Sequence, residues 1–202
     1  MGGLKVTSRR TALGAPAALV LAVGASAADD QETSASNART LVAFFSRSGN
    51  TRVIADQLHR ELDAHLFEIL PAESYPDDYE QTVERARQER DAGALPELKA
   101  KVTTLATYVT VFLGFPIWGE TAPPVLRSFL AAHDLSDKVV RPFITHGGYG
   151  LGDSLAVLKS HAPHARLMPA FSMEADQERR TMNQVRDWLG SIRQPGPSSK
   201  GD

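Results

Sequence analysis

The apolar residues of this chain occur in short runs that alternate with amphipathic stretches. Residues 41–45, 65–70, 108–114, 139–145 and 165–171 are runs of this kind, and each predicts a strand. Helices are predicted from Asn50 or Thr51 to about residue 62 and over residues 80–92, 123–132, 151–160 and 174–192. Because strands and helices alternate five times, the pattern predicts an α/β domain whose parallel sheet has helices on both faces.

The run at residues 108–114 is the strongest predicted strand. It is apolar on both faces, as expected of a central parallel strand. In sheets of this kind ligands bind at the carboxyl ends of the strands, near the point where the strand order reverses. That rule selects the loops that follow Phe45, Leu113 and Thr145.

The first loop consists of Ser46, Arg47, Ser48, Gly49, Asn50 and Thr51. A helix follows it, so unpaired backbone N–H groups and the positive end of the helix dipole would face an anion there. Gly49 would let the backbone turn tightly around that anion. The loop matches neither the Walker pattern nor the three-glycine dinucleotide pattern. A phosphate site is therefore favoured over an ordinary turn before a capped helix.

The second and third loops also have unusual compositions. Trp118 lies between prolines in residues 114–124, so its flat ring could be held ready for an aromatic ligand, or it could cover the edge of the core. Residues 147–152 contain four glycines in six positions, which would allow a close backbone approach to a ligand, or only a flexible connection. Three such loops at one predicted crevice favour a binding site.

Four motifs resemble the flavodoxin-like family that binds FMN, in its bacterial branch with a Tyr-Pro-x-x-Tyr segment. They are SRSGNT, YPDDYEQTVERARQE, GFPIWGETAP and PFITHGGYGLGDSL, and the similarity extends over residues 41–188. The resemblance implies a three-layer sandwich with a five-stranded parallel sheet in the order 2-1-3-4-5. It implies FMN as the cofactor, with its phosphate in the first loop at Ser46, Arg47, Ser48, Gly49, Asn50 and Thr51.

The same resemblance implies which residues contact the isoalloxazine ring. The second loop would flank the ring through Pro116, Ile117, Trp118 and Gly119, and the third would close the other side through Thr145, Gly147, Gly148 and Tyr149. Relatives commonly have a second aromatic residue where this chain has Gly119-Glu120. That departure implies less aromatic stacking on one face of the isoalloxazine ring. It also implies a carboxylate that would disfavour negative charge on the reduced flavin if it lay close.

The resemblance implies an electron-transfer flavoprotein in which the flavin supplies the chemistry. No side chain is expected to act as a nucleophile or a general base. Two functions remain open: a carrier that exchanges electrons with a redox partner protein, and an FMN-dependent oxidoreductase that reduces quinone-like small acceptors from a reduced nicotinamide. A flavodoxin-like binding module with weak or no FMN is a third.

Residues 1–27 have the features of an export signal. Arg9 and Arg10 precede an apolar stretch, and an Ala-Ser-Ala site ends at Ala27. We expect a twin-arginine-type signal, which would carry the protein folded to the periplasm or the exterior, over a Sec signal or an uncleaved anchor. Residues 28–39 are predicted to be a disordered spacer, residues 40–193 the flavodoxin-like domain and residues 194–202 a disordered tail.

Composition excludes several classes of function. The chain has no cysteine, so thiol catalysis, disulfides and iron–sulfur clusters are excluded. Its net charge of −2 becomes −5 once the three positive charges of residues 1–27 are removed, and nucleic acid is not expected as a partner. His161 and His164 are interrupted by Pro163, and no metal site is predicted. No G-x-S-x-G elbow is present.

Overall fold

The computed structural model describes residues 39–174 and 178–193 of the 202-residue chain. The strands are β1 (Thr40–Phe44), β2 (His65–Glu68), β3 (Thr110–Pro116), β4 (Val139–His146), β5 (Arg166–Leu167) and β6 (Phe171–Glu174). The helices are α1 (Asn50–Leu62), α2 (Tyr79–Asp91), α3 (Pro124–Ala132), α4 (Ser154–His161) and α5 (Glu178–Arg193), with a short 3-10 helix at Leu105–Thr107. The predicted signal at residues 1–27, the spacer apart from Arg39, and the tail at residues 194–202 lie outside the described residues.

The strands form one parallel sheet in the order β2-β1-β3-β4-β5, and β6 also pairs with β4. This confirms the predicted fold class and strand order. No helix in residues 39–174 and 178–193 is long and apolar enough to cross a membrane.

Two hydrophobic cores lie on opposite faces of this sheet. Along β1, Leu41 and Ala43 belong to one core while Val42 and Phe44 belong to the other, because successive side chains of a strand point to opposite faces. Helices α3 and α4 pack on the first face, and helices α1 and α5 pack on the second. The central strands are therefore apolar on both faces, as a sheet covered by helices requires.

The fifth position of the sheet differs from the prediction. A single strand was expected over residues 165–171, but β5 and β6 are separate segments on either side of Pro169. The Val140 carbonyl accepts a hydrogen bond from the N–H of Met168 at 2.9 Å. Backbone groups two residues apart on a strand face the same neighbouring strand, so the backbone nitrogen of Pro142 faces the segment that follows Met168. Because proline has no N–H to donate, the pairing is interrupted there.

The last helix also begins later than predicted. A helix was expected from residue 174, but Glu174 lies in β6 and pairs with His146, and α5 begins at Glu178. Trp188 of this helix stacks on Phe171 with ring centroids 4.9 Å apart, which fixes α5 against β6.

Gly114 of β3 leaves room for a buried aromatic ring in the centre of the sheet. It lies opposite Phe143 of β4, and a Cβ at this glycine would be 2.0 Å from the Phe143 ring. Phe143 is completely buried. The ring therefore occupies the space that any side chain at position 114 would need.

Candidate functional site

A cavity of about 490 Å³ lies at the carboxyl ends of β1, β3 and β4. All three predicted loops border it, through Arg47, Ser48 and Asn50, through Pro116, Ile117, Trp118 and Gly119, and through Thr145, His146 and Gly147. Helix α2 also lines it, through Tyr79, Thr82, Val83, Ala86, Arg87 and Arg90. The volume lies within the range of ligand sites in proteins, about 300–1,000 Å³.

The first loop leaves polar groups without partners. Gly49 is the N-cap of α1 with φ 95°, a left-handed conformation that favours glycine, and no side chain caps the first turn. The backbone N–H groups of that turn are therefore available to an anion. The Oγ atom of Ser46 is buried with no hydrogen-bond partner in the described chain. These features fit a bound phosphate.

Ser46 does not line the main cavity. It borders a second cavity of about 350 Å³, together with Tyr75 and Asp77. Arg47 borders both cavities. Its guanidinium donates to the Asp77 carbonyl at 2.8 Å and lies 5.9 Å from the centre of the Tyr79 ring. Arg47 thus connects the first loop to the start of α2.

Thr51 joins the first loop to the third. Its hydroxyl is hydrogen bonded to the Thr145 hydroxyl at 2.8 Å, and the two residues are only 1% and 2% exposed. Thr145 borders the cavity and the Thr51 side chain does not. The Thr51 hydroxyl, which the sequence analysis assigned to the phosphate, therefore positions α1 against the end of β4. Its backbone N–H remains at the helix start.

Trp118 both packs on the core and borders the cavity. Its ring meets Phe45 and Tyr75 edge to face, with centroids 5.2 and 4.9 Å away. Its backbone closes a two-residue turn through hydrogen bonds of 3.0 and 3.3 Å with Thr121. The two alternatives for Trp118, a ligand contact and a cover for the core, are thus both consistent with its position.

Glu120 occupies the second position of that turn, with φ 64°. Its side chain is exposed and is not part of the cavity lining. The carboxylate that the sequence analysis placed near the ring therefore lies outside the cavity wall.

The third loop only partly enters the cavity. His146 and Gly147 border it, but Gly148 and Tyr149 do not, and Tyr149 is 87% exposed. The N–H of Gly148 donates to Nδ1 of His146 at 3.1 Å, so this imidazole shapes the loop. Gly148 and Tyr149, which were predicted to close over the ring, therefore lie outside the cavity lining.

The second and third loops contact one another through the backbone. The N–H of Asp153 donates to the Glu120 carbonyl at 3.0 Å. Gly152 has φ 52°, and a Cβ at this position would lie 1.8 Å from the same carbonyl oxygen. Only glycine allows the two chains to approach so closely.

Helix α2 is the part of the site that the sequence analysis did not identify. It was predicted only as a helix over residues 80–92, yet its cavity-lining positions recur every three to four residues, at 79, 82/83, 86/87 and 90, and form one face. Within this helix only Thr82 and Ala86 are buried. The sequence feature that could have identified this face is a weakly apolar series at helical spacing, formed by Tyr79, Thr82, Val83 and Ala86.

Tyr75 anchors α2 to the second loop. Its hydroxyl donates to the Glu89 carboxylate at 2.7 Å, and Arg85 lies 4.7 Å from its ring centre. Burial, and then the hydrogen bond to Glu89, raise the pKa of Tyr75 well above its ordinary value, so the phenol stays protonated. Arg85 also donates to Glu89 at 2.8 Å. The Tyr-Pro-x-x-Tyr segment therefore holds the cavity wall in place.

Comparisons with known proteins agree with this architecture. Residues 39–192 match the family model described as Flavodoxin. A Bacteroides eggerthii structure assigned as a flavoprotein is 32% identical, with 78% of this chain and 99% of that chain covered and a TM-score of 0.66. A similar protein of Bacteroides uniformis is 28% identical over 76% of this chain and 98% of that chain, with a TM-score of 0.67.

A flavoprotein of Lactobacillus acidophilus in complex with FMN shares the fold at 19% identity. The match covers 72% of this chain and 99% of the Lactobacillus acidophilus protein, with a TM-score of 0.59. A search of curated protein sequences gave no significant match. The family match over residues 39–192, together with the strand order and the similar structures, shows that this chain belongs to the flavodoxin family.

Proposed function

We propose that this chain binds FMN in the cavity at the carboxyl ends of β1, β3 and β4 and serves in electron transfer. The observation that carries the proposal is the meeting of the three loops at one cavity, with an uncapped helix start on one side and Trp118 on another. The FMN bound by the Lactobacillus acidophilus flavoprotein supports the choice of ligand.

The phosphate would lie at the first loop. Ser48 and Asn50 border the cavity there and can donate hydrogen bonds, and the first N–H groups of α1 add the positive end of the helix dipole. Arg47 supplies a nearby positive charge. A dianion would therefore be held without a metal ion.

The isoalloxazine would lie toward the second loop. Pro116, Ile117, Trp118 and Gly119 border the cavity on that side, and Thr145 and Gly147 border it from the third loop. When bound, FMN would supply the electron-accepting and electron-donating group. The work of the protein is then to orient the ring, to limit its contact with water and to set the charge around it.

Electrons could pass either to a redox partner protein or to a quinone-like small acceptor, with a reduced nicotinamide as donor in the second case. We propose the oxidoreductase as the better supported of the two. A carrier that exchanges electrons with a redox partner protein usually presents a strongly acidic surface to that partner. In the described chain the cavity is instead bordered by Arg47, Arg87, Arg90 and His146, with no aspartate or glutamate among its lining residues.

The visible absorption spectrum of the purified chain tests the FMN proposal. We expect the bands of oxidised flavin in the protein as isolated, or after incubation with FMN and removal of the excess. A protein that shows neither band after such loading would be a binding module that does not hold flavin, and the proposal would be wrong.

We also propose that the chain is exported folded through a twin-arginine signal and cut near Ala27. The motif at Arg9 and Arg10 supports this route, and folded export suits a protein that takes its cofactor in the cytoplasm. Replacing both arginines with lysine should retain the protein inside the cell. If the double variant were secreted at the normal rate, the signal would belong to the Sec route.

A further inference from the structure

The cavity has positive groups at two separate places along α2. Arg47 lies beside Tyr79, the first residue of the helix, and Arg90 lies near its end. At 1.5 Å per residue, Tyr79 and Arg90 are about 16 Å apart along the helix axis. A phosphate held by the first loop would therefore not use Arg90.

Arg90 lies at the end of the cavity next to the second loop, where the isoalloxazine is proposed to bind. Its Nη1 atom is 2.6 Å from the position that a Cβ on Gly119 would occupy, so the guanidinium lies directly over the turn that follows Trp118. A glycine at position 119 leaves the space that this guanidinium fills. The position of Arg90 is thus defined by the second loop as well as by α2.

A network of charged side chains along α2 orients Arg90. Its Nε atom donates to one oxygen of Asp91 at 3.2 Å, and the other oxygen of Asp91 accepts from Arg87 at 3.0 Å. Arg87 in turn donates to both oxygens of Glu84, at 3.0 and 2.8 Å. Arg87 is therefore committed to two carboxylates, while Arg90 is held only through Nε.

The outer nitrogens of Arg90 are available to a ligand. Within residues 39–174 and 178–193, neither Nη atom of Arg90 donates a hydrogen bond to a protein acceptor. Two parallel N–H donors on a planar guanidinium match the two oxygens of a carboxylate. Val83, which is 44% exposed, offers an apolar contact in the same cavity, on the helix side rather than on the side of the second loop.

We infer that Arg90 forms an anion subsite beside the flavin ring, which takes the carboxylate or similar group of a planar aromatic small molecule. This inference rests on the proposed FMN function and names the class of molecule that meets the flavin.

Binding of two matched ligands to the FMN-loaded protein tests the subsite. Naphthalene-2-carboxylate and naphthalene-2-carboxamide have the same shape and differ in charge, and calorimetry measures their affinities without any turnover. We expect the native protein to bind the carboxylate about tenfold or more tightly than the carboxamide, as a charge-assisted hydrogen bond allows. Arg90→Gln should remove most of that preference while the carboxamide affinity stays unchanged.

Two further variants separate the guanidinium from its charge. Arg90→Lys keeps the charge but loses the planar pair of donors, so it should retain only part of the preference. Arg60→Gln removes the same charge from an exposed position of α1 that does not border the cavity, and it should change nothing. If Arg60→Gln lost as much of the preference for the carboxylate as Arg90→Gln does, the preference would come from the net charge of the protein, and the proposed subsite would be wrong.

The flavin spectrum, recorded on each sample before titration, keeps the two proposals distinguishable. Absence of flavin from the native protein would refute the FMN proposal itself. A flavin-loaded native protein that does not prefer the carboxylate would refute the subsite and leave FMN binding intact. Loss of FMN from Arg90→Gln alone would assign Arg90 to the FMN site, and the separate subsite would again be wrong.

Discussion

Gly152→Ala should break the contact between the second and third loops. The new Cβ would lie 1.8 Å from the Glu120 carbonyl oxygen, which belongs to backbone and cannot rotate away. Alanine at a φ of 52° also costs about 1–2 kcal/mol, because the left-handed conformation strains a residue with a Cβ.

The expected loss of stability is the sum of three effects. Relieving the overlap should cost about 1–3 kcal/mol, as insertion of a methyl group into a packed region usually does. Loss of the hydrogen bond from Asp153 to Glu120 adds about 0.5–1.5 kcal/mol. With the backbone strain, Gly152→Ala should lower the free energy of unfolding by about 2.5–6.5 kcal/mol.

Gly150→Ala in the same loop is the matched control. Gly150 has φ 75°, but nothing lies within 4 Å of the position of its Cβ. It should therefore show the backbone strain alone, about 1–2 kcal/mol. Urea unfolding of both variants measures the difference, and calorimetry with FMN should show weaker binding for Gly152→Ala. Equal losses of stability in the two variants would refute the close contact between the loops.

Other variants test the ring site, the sheet and a buried histidine. FMN should quench the fluorescence of Trp118, so titration of Trp118→Phe should show little change while Trp188→Phe keeps most of it; a full quench in Trp118→Phe would place the ring elsewhere. Gly114→Ala should destabilise the fold by about 1–3 kcal/mol or more in urea unfolding, and Phe143→Leu should rescue part of that loss. Burial lowers the pKa of His133 below its ordinary value of about 6.5, so below that pH the unfolded chain binds a proton that the folded chain does not. The free energy of unfolding measured in urea should therefore fall as the pH drops below about 6.5, and it should fall less in His133→Gln.

The hydrophobic pattern was sufficient to predict the succession of strands and helices along the chain and the three loops, while the order of strands in the sheet came from the family resemblance. The apolar runs are local features, and the rule that parallel strands align their carboxyl ends brings residues 46–51, 114–124 and 145–152 to one edge of the sheet. Their convergence on one cavity follows from topology.

Contacts between distant segments were not available from the pattern. Thr51 and Thr145 are 94 residues apart, and nothing in either neighbourhood shows that their hydroxyls meet. The break in the fifth strand depends on Pro142 of β4 facing the gap beside Pro169, a matter of register between strands. Helix α2 was underestimated because its inner face borders a cavity and needs no continuous apolar stripe.

The most direct test of the central claim compares FMN with riboflavin, which lacks the phosphate, by calorimetry on the native chain and on Ser48→Ala. If the first loop holds the phosphate, FMN should bind at least about tenfold more tightly than riboflavin, since each hydrogen bond to a charged group contributes about 1.5–3 kcal/mol. Ser48→Ala should weaken FMN by a similar factor and leave riboflavin unchanged. Equal affinities for the two flavins, or equal losses for both in Ser48→Ala, would contradict a phosphate site in this loop.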